Sequence, residues 1–252
     1  MSVQACAEIV LKGDPDRFLA VMAAPPAARQ VLFPLYAFNV EVARAPQVTK
    51  EPMIAQMRLQ WWRDALAEIA AGGIVRRHEV VVPLAGVIDA EGAARLGRLI
   101  DAREHDLGDE PFAQRGDLER YLGDTGGTLM AVATRALGGQ DEERAHLIGQ
   151  AGAAANYLLA VPALIAQGGQ PLPGETLSCI RDLAGEHLAL LAGAKARPVA
   201  SKALRRAALS AWRARGILTR ARRDPQAVLD GRLSESEFAR RASLLKAQIT
   251  GI

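Results

Sequence analysis

Aromatic side chains are scarce in this chain, 4% of its 252 residues, and β-branched runs are nearly confined to Val80-Val81-Val82. Both shortages count against strands, while the abundant Leu, Ala and Arg favour helix, so the sequence predicts an all-α protein. The two cysteines, Cys6 and Cys179, have no metal-ligand spacing and are too few for a disulfide framework. Ordinary thiols in a reducing compartment are the expectation. Met1 to Lys12 shows no basic segment leading into an apolar core, and no apolar run is read as approaching the ~20 residues of a membrane span. These absences lead to the expectation of a cytoplasmic protein. The four histidines, His78, His105, His146 and His187, share no metal-ligand spacing either.

What is present is apolar bulk, 50% of the residues, enough for the core of one large domain spanning 1–252. Apolar residues recur at helical spacing between Gly and Pro breaks. The pattern predicts helices over Ala27–Ala45, Pro52–Ala71, Asp89–Leu107, Leu118–Leu137, Asp141–Ala166, Glu175–Ala194, Ala200–Arg222 and Ser234–Ile249. No internal repeat appears, and no break is long enough to serve as a domain linker.

Several short motifs then fall in a telling order. Leu35-Tyr36-Ala37-Phe38-Asn39-Val40-Glu41-Val42-Ala43-Arg44-Ala45-Pro46-Gln47 comes first, followed by Arg58-Leu59-Gln60-Trp61-Trp62-Arg63-Asp64 and His78-Glu79-Val80-Val81-Val82-Pro83. Tyr121-Leu122-Gly123-Asp124-Thr125-Gly126-Gly127, Gly149-Gln150-Ala151, Asn156 and Leu172-Pro173 complete the series. From about Asp16 to Pro173 this order resembles that of the squalene and phytoene synthases. The resemblance implies the all-α isoprenoid-synthase bundle, with helices around a central cleft.

In that family two aspartate-rich helix faces hold Mg²⁺ against the diphosphate leaving a prenyl chain, since hard cations held by carboxylates neutralise the departing charge. Acids at i, i+1 and i+4 reach one side of a helix and make such a platform. Here the first platform falls on Ala43, Arg44 and Gln47, and Pro46 ends the helix there. The second falls on Ala160 and Leu164, with Pro162 between them, which predicts a kinked or shortened helix. Ala151 to Gly174 contains no Asp or Glu at all. The resemblance therefore implies the fold while counting against the chemistry: no catalytic residue, no metal ligand and no cofactor are expected.

Cleft or ligand-binding candidates are Tyr36, Phe38, Asn39, Glu41, Arg44, Arg58, Trp61, Tyr121 and Asn156. Tyr36, Phe38 and Trp61 at helical spacing suit a core at least as well as a cleft. Asn156 needs a hydrogen-bond partner if buried. Arg44 can pair with Glu41, stand in solvent, or bind a phosphate directly. The densest acidic cluster is Asp101, Glu104, Asp106, Asp109 and Glu110, with His105 one turn after Asp101; a solvated helix end is the plainer reading.

From Leu188 to Arg223 there is no acid, although the net charge of the chain is only +3. Lys195, Arg197, Lys202, Arg205, Arg206, Arg213, Arg215, Arg220, Arg222 and Arg223 make this stretch locally basic. Lys202, Arg205, Arg206, Arg213 and Arg220 are the candidates for a basic surface that meets anionic lipid headgroups or an acidic protein. Nucleic acid is not expected, because no binding motif or interleaved aromatics accompany the charge.

The first two motifs are most similar to a degenerate branch of the family whose members are assembly factors for respiratory complex I at the inner membrane. A binding or assembly role, peripheral on a membrane, is the function this resemblance implies. The alternatives are a Mg²⁺-dependent head-to-head prenyl transferase using acids such as Glu41, Asp101 and Asp106, and a metal-free carrier of a prenyl chain or other lipid.

Overall fold

Side-chain caps and prolines decide where the helices begin. In the computed structural model, which describes residues 2–49, 51–108, 110–196 and 200–251, with the side chain of Gln47 left aside, the order is α1 (Val3–Gly13), α2 (Pro15–Met22), α3 (Pro26–Ala43), α4 (Pro52–Ala70), α5 (Val81–Ala85), α6 (Ala90–Arg103) and α7 (Arg115–Leu122). Then follow α8 (Thr128–Ala136), α9 (Glu142–Ala166), α10 (Thr176–Ala196), α11 (Lys202–Ala208), α12 (Ala214–Arg223), α13 (Gln226–Leu229) and α14 (Glu237–Thr250). No strand occurs among the described residues. Asp14, Asp89, Ser201 and Ser236 each accept a bond from a backbone N–H in the first turn of α2, α6, α11 and α14. Such caps are worth about 1 kcal/mol each. Asp109 and Arg197, members of the acidic cluster and the basic stretch, lie outside the described residues.

Each predicted helix lies close to an observed one, while α1, α2 and α13 were not expected, and four further differences stand out. Val80-Val81-Val82 enters the short helix α5. The segment Leu118–Leu137 divides into α7, a wide π-type turn over Gly123–Gly127, and α8. The turn is a packing device: a Cβ on Gly126 would lie 2.5 Å from the Cβ of Ala153 and 2.9 Å from the carbonyl oxygen of Gly149. A Cβ on Gly149 would in turn lie 2.4 Å from the carbonyl oxygen of Gly126. The glycines thus let the π turn and α9 touch backbone to backbone. Ala200–Arg222 also divides, into α11, a 3-10 turn over Leu209–Ala211, and α12. Finally, α9 is not shortened at Pro162 but continues to Ala166.

Helix α9 is the pillar of the bundle. It packs against α7, α8, α10, α11, α12 and α13, and this tertiary support carries it through Pro162. Contrary to expectation, α9 is long and apolar enough by length and composition to cross a membrane. Much of its apolar content is alanine and glycine, which suits close packing, and Ala151, Ala154, Ala155, Leu158 and Val161 are buried against its neighbours. The main core runs from Cys6 to Leu233 through nearly every helix. A small second cluster of Ala20, Leu209, Trp212 and Ala247, joined by Leu244, fastens α14 to the body. Trp212 Nε1 adds a hydrogen bond to Ser243 Oγ at 3.0 Å.

Candidate functional site

Helices α3 and α4 run side by side, and their facing ends bring Glu41, Arg44 and Arg58 together. Glu41 lies 3.8 Å from Arg44 and 4.0 Å from Arg58, at the long end of ion pairing, with Arg44 exposed and Arg58 half-buried. Of the three fates open to Arg44, the structure shows the loose pair with Glu41 in solvent. Pro46 sits in a 3-10 turn that follows α3 at once, so the helix ends before a third ligand position is reached. Behind this mouth Phe38 is fully buried, edge-on to Trp62 with ring centroids 5.3 Å apart. Asn39 is buried beside it. Trp61 is half-buried on the outer side of α4, edge-on to Trp62 and beneath the Arg76 guanidinium at 4.7 Å.

Deeper in, Tyr36 is buried and its ring is covered by the Arg17 guanidinium at 4.9 Å. Burial pushes the Tyr36 hydroxyl above the ordinary phenol range, with Arg17 opposing. The sequence reading missed Arg17, although the run Asp14-Pro15-Asp16-Arg17 carried a signal: Asp14 caps α2 and binds Arg17 at 2.8 Å, which fixes that side chain over Tyr36. The gap lined by Tyr36, Arg17 and Asn156 has a volume of about 10 Å³, and a second gap between Asn156 and Trp212 is equally small. Asn156 is exposed and makes no side-chain hydrogen bond among the described residues, so the bonded, buried position considered for it does not occur. Ligand pockets usually enclose about 300–1,000 Å³. A larger apolar groove of about 630 Å³ lies elsewhere, between α1, α2 and α3, and is floored by Leu11, Phe18, Met22 and Phe33.

Three acids of the cluster are paired with arginines. Asp101 and Glu104 both bind Arg63, at 2.8 and 2.6 Å. Asp106 binds Arg103 at 3.0 Å and accepts from the Tyr121 hydroxyl at 2.8 Å, and Arg103 donates to that hydroxyl in turn. Burial pushes the Tyr121 phenol far above its ordinary range, Arg103 opposing and Asp106 adding. His105 stacks on Phe112 at 3.9 Å and makes no pair with Asp101. Tyr121 therefore ties α7 to the end of α6. No group of three His, Cys, Asp or Glu able to hold a metal occurs among the described residues.

A model of the squalene/phytoene synthases matches residues 10–180. The chain belongs to this family. Curated relatives are complex I assembly factor 6 of Mus musculus, 28% identical over 162 residues, and its Drosophila melanogaster homolog, 29% identical over 182. These alignments cover 62% and 68% of this chain but 48% and 54% of the relatives, so the chain spans about half their length. Among solved structures, a ligand-bound dehydrosqualene synthase superposes with a TM-score of 0.77 at 18% identity, covering 98% of this chain and 95% of the other. A squalene synthase from Alicyclobacillus acidocaldarius gives 0.70 at 16% identity, covering 89% and 94%. At such identities the structures establish the isoprenoid-synthase fold and no more.

Against the family's magnesium chemistry, the residues in place do not fit. A Mg²⁺ cluster wants several carboxylate oxygens converging on one point. The mouth offers one carboxylate held between two cations, and from Ala151 to Gly174 there is no acid.

The basic region needs correction in part. Arg213 is mostly buried and bridges Asp16 and Glu235, while Arg220 binds Glu235 at 2.8 Å and the carbonyl oxygen of Leu233 at 2.9 Å. Both are internal braces between α12, the α2 start and the loop before α14, because acids distant in sequence fold back onto them. Lys202 and Arg205 are exposed and Arg206 is half-buried, and these three do form a basic surface.

Proposed function

We propose that this chain is a non-catalytic member of its family that works by binding, in the assembly of a respiratory NADH dehydrogenase complex, and that it does so without a bound magnesium ion. The observation that carries the reading is the state of the mouth: where the fold would need converging carboxylates, Glu41 stands alone between Arg44 and Arg58. The curated relatives are assembly factors, and their identity of 28% over 162 residues and 29% over 182 supports transfer of that role. Because a respiratory complex is membrane-bound, a peripheral place on that membrane follows from the role.

The prenyl-transferase alternative needs Glu41, Asp101 and Asp106 to converge on metal. Each is instead paired with a different arginine set, so that reading has less support. The lipid-carrier alternative needs space beside Tyr36 and Asn156, and the gaps there are about 10 Å³, so that reading has less support.

Two measurements test the proposal. Purified protein incubated with farnesyl or geranylgeranyl diphosphate and Mg²⁺ is expected to release no pyrophosphate above a protein-free control; steady turnover would reject the non-catalytic reading. Deleting the gene in cells that encode this chain is expected to lower the amount of assembled complex I on native gels. An unchanged amount would reject the assembly role.

A further inference from the structure

Helix α14 carries its large apolar side chains on the wrong side for a core. Phe238, Leu245 and Ile249 fall at i, i+7 and i+11, so they form one stripe, and they are 84%, 60% and 78% exposed. The opposite face of the helix holds Leu244 and Ala247, which pack on Trp212 and Leu209. At 100° per residue the stripe is flanked by Lys246 on one side and on the other by Arg241, which pairs with Glu237 one turn earlier; both cations are exposed. An apolar stripe between cations, on a helix whose other face is anchored to a folded body, is the pattern of a helix lying in a membrane interface.

A second observation stands beside it. Where α14 ends, a groove of about 590 Å³ opens against α10 and α11, lined by Lys195, Lys202, Arg205 and Arg206. Among the described residues no carboxylate side chain lines it. Among the described residues, none of these four cations forms an ion pair with an acid, in contrast to Arg213 and Arg220. Ile249 belongs to both features, since it closes the stripe and also lines the groove.

We infer that this face docks the chain on an anionic lipid bilayer, with phosphate headgroups in the groove and the α14 stripe at the level of the first acyl carbons. The chemistry of the two features favours lipid over an acidic protein. Long lysine and arginine stems keep their charges at headgroup height while neighbouring apolar groups sink about 5–10 Å deeper. The outer face of α12 provides the contrast: Arg215, Arg222 and Arg223 are exposed there, but Ile217 and Leu218 are buried and the helix offers no exposed large apolar side chain. This inference deepens the peripheral-membrane part of the proposed role, yet vesicle binding by the purified chain can fail while complex I assembly still depends on the gene, and the reverse, so the two are separable.

Sedimentation with vesicles tests it. Binding to phosphatidylcholine mixed with phosphatidylglycerol is expected, weakening as salt rises, with phosphatidylcholine alone bound at least tenfold more weakly. Lys202→Ala combined with Arg205→Ala is expected to weaken binding about thirtyfold, at about fivefold for each cation lost. Leu245→Ser combined with Ile249→Ser is expected to weaken it at least tenfold, both side chains being in solvent so that the thermal melt is unchanged. Arg222→Ala with Arg223→Ala is expected to change it by no more than about threefold. Equal binding to neutral vesicles, full binding by the α14 variant, or a loss in the α12 variant as large as in the groove variant would each overturn the inference. So would a protein that ignores vesicles and forms a dimer abolished by the α14 changes.

Discussion

The crossing of the π turn with α9 and the mouth between α3 and α4 both carry family landmarks, and the two have fared differently. At the crossing the small residues remain, and they do mechanical work: Gly126 and Gly149 touch through their backbones, and His146 packs over Gly127. At the mouth the helix remains but the acids of the family's first platform do not, for a lone Glu41 faces Arg44 and Arg58. Packing constraints act through volume, and a crowded contact tolerates no added atom. Metal sites act through charge, and a mouth open to solvent accepts arginine for aspartate without strain. A fold can therefore outlast its metal-binding acids.

The largest effect is expected at the crossing. In Gly149→Ala the new methyl would lie 2.4 Å from the Gly126 carbonyl oxygen and 2.7 Å from the Cβ of Met130, and a backbone oxygen cannot rotate aside. A loss of about 3 kcal/mol in urea unfolding is expected, at the upper end for overpacking. Gly97→Ala in α6 is the internal control, since a Cβ there meets nothing within 4 Å and helix propensity alone should add about 0.5–1 kcal/mol. If the two variants unfold at the same urea concentration, the crossing is not the constraint described.

An intermediate effect tests the mouth. Arg44→Asp combined with Gln47→Asp restores acids at the first platform while leaving the stretch from Ala151 to Gly174 without any. Because Arg44 is exposed and its pair with Glu41 is long, stability is expected to change by about 1 kcal/mol or less. Prenyl diphosphate turnover is expected to stay absent, because the opposite platform still carries no acid. Turnover in this variant would mean that the cleft opens and that only the first acids had been lost.

The helices were legible because helical periodicity and proline or glycine breaks are local signals: α3, α4, α9 and α10 begin and end within a few residues of expectation. The broken acid platforms were legible for the same reason, since spacing on one helix is a local fact. What escaped was long-range. Arg213 and Arg220 looked like surface because their neighbours in sequence are basic, whereas Asp16 and Glu235 reach them only in the folded chain. Asn156, on a helix rich in apolar residues, stands in solvent because α9 is long enough to present a polar position between its packed faces. Arg17 over Tyr36 required α2 to fold across α3, which no spacing announces.

The smallest effect concerns two acids at the surface where α7 meets α10. Glu186 of α10 faces Glu119 of α7, and Arg115 lies 2.6 Å from it. The hydrogen bond with Glu119 and burial outweigh the arginine and push the Glu186 carboxyl up from about 4.5 to about 7. The folded chain therefore holds a proton that the unfolded chain has released between those values. Its contribution to stability is present below pH 4.5 and is lost as pH rises to about 7. Buried His146 and His187 act in the opposite sense, since burial lowers both and their contribution is lost as pH falls below about 6.5. The difference between Glu186→Gln and the parent isolates the carboxyl: the glutamine variant is expected to gain stability relative to the parent from pH 4.5 to 7 and to hold it above. Glu186 is 44% exposed, so solvent screening limits the gain to under about 1 kcal/mol. A variant less stable than the parent at pH 8 would show that the pair with Arg115 dominates. This surface would then tolerate charge by pairing, as the mouth does, and the contrast between the crossing and the mouth would rest on volume alone.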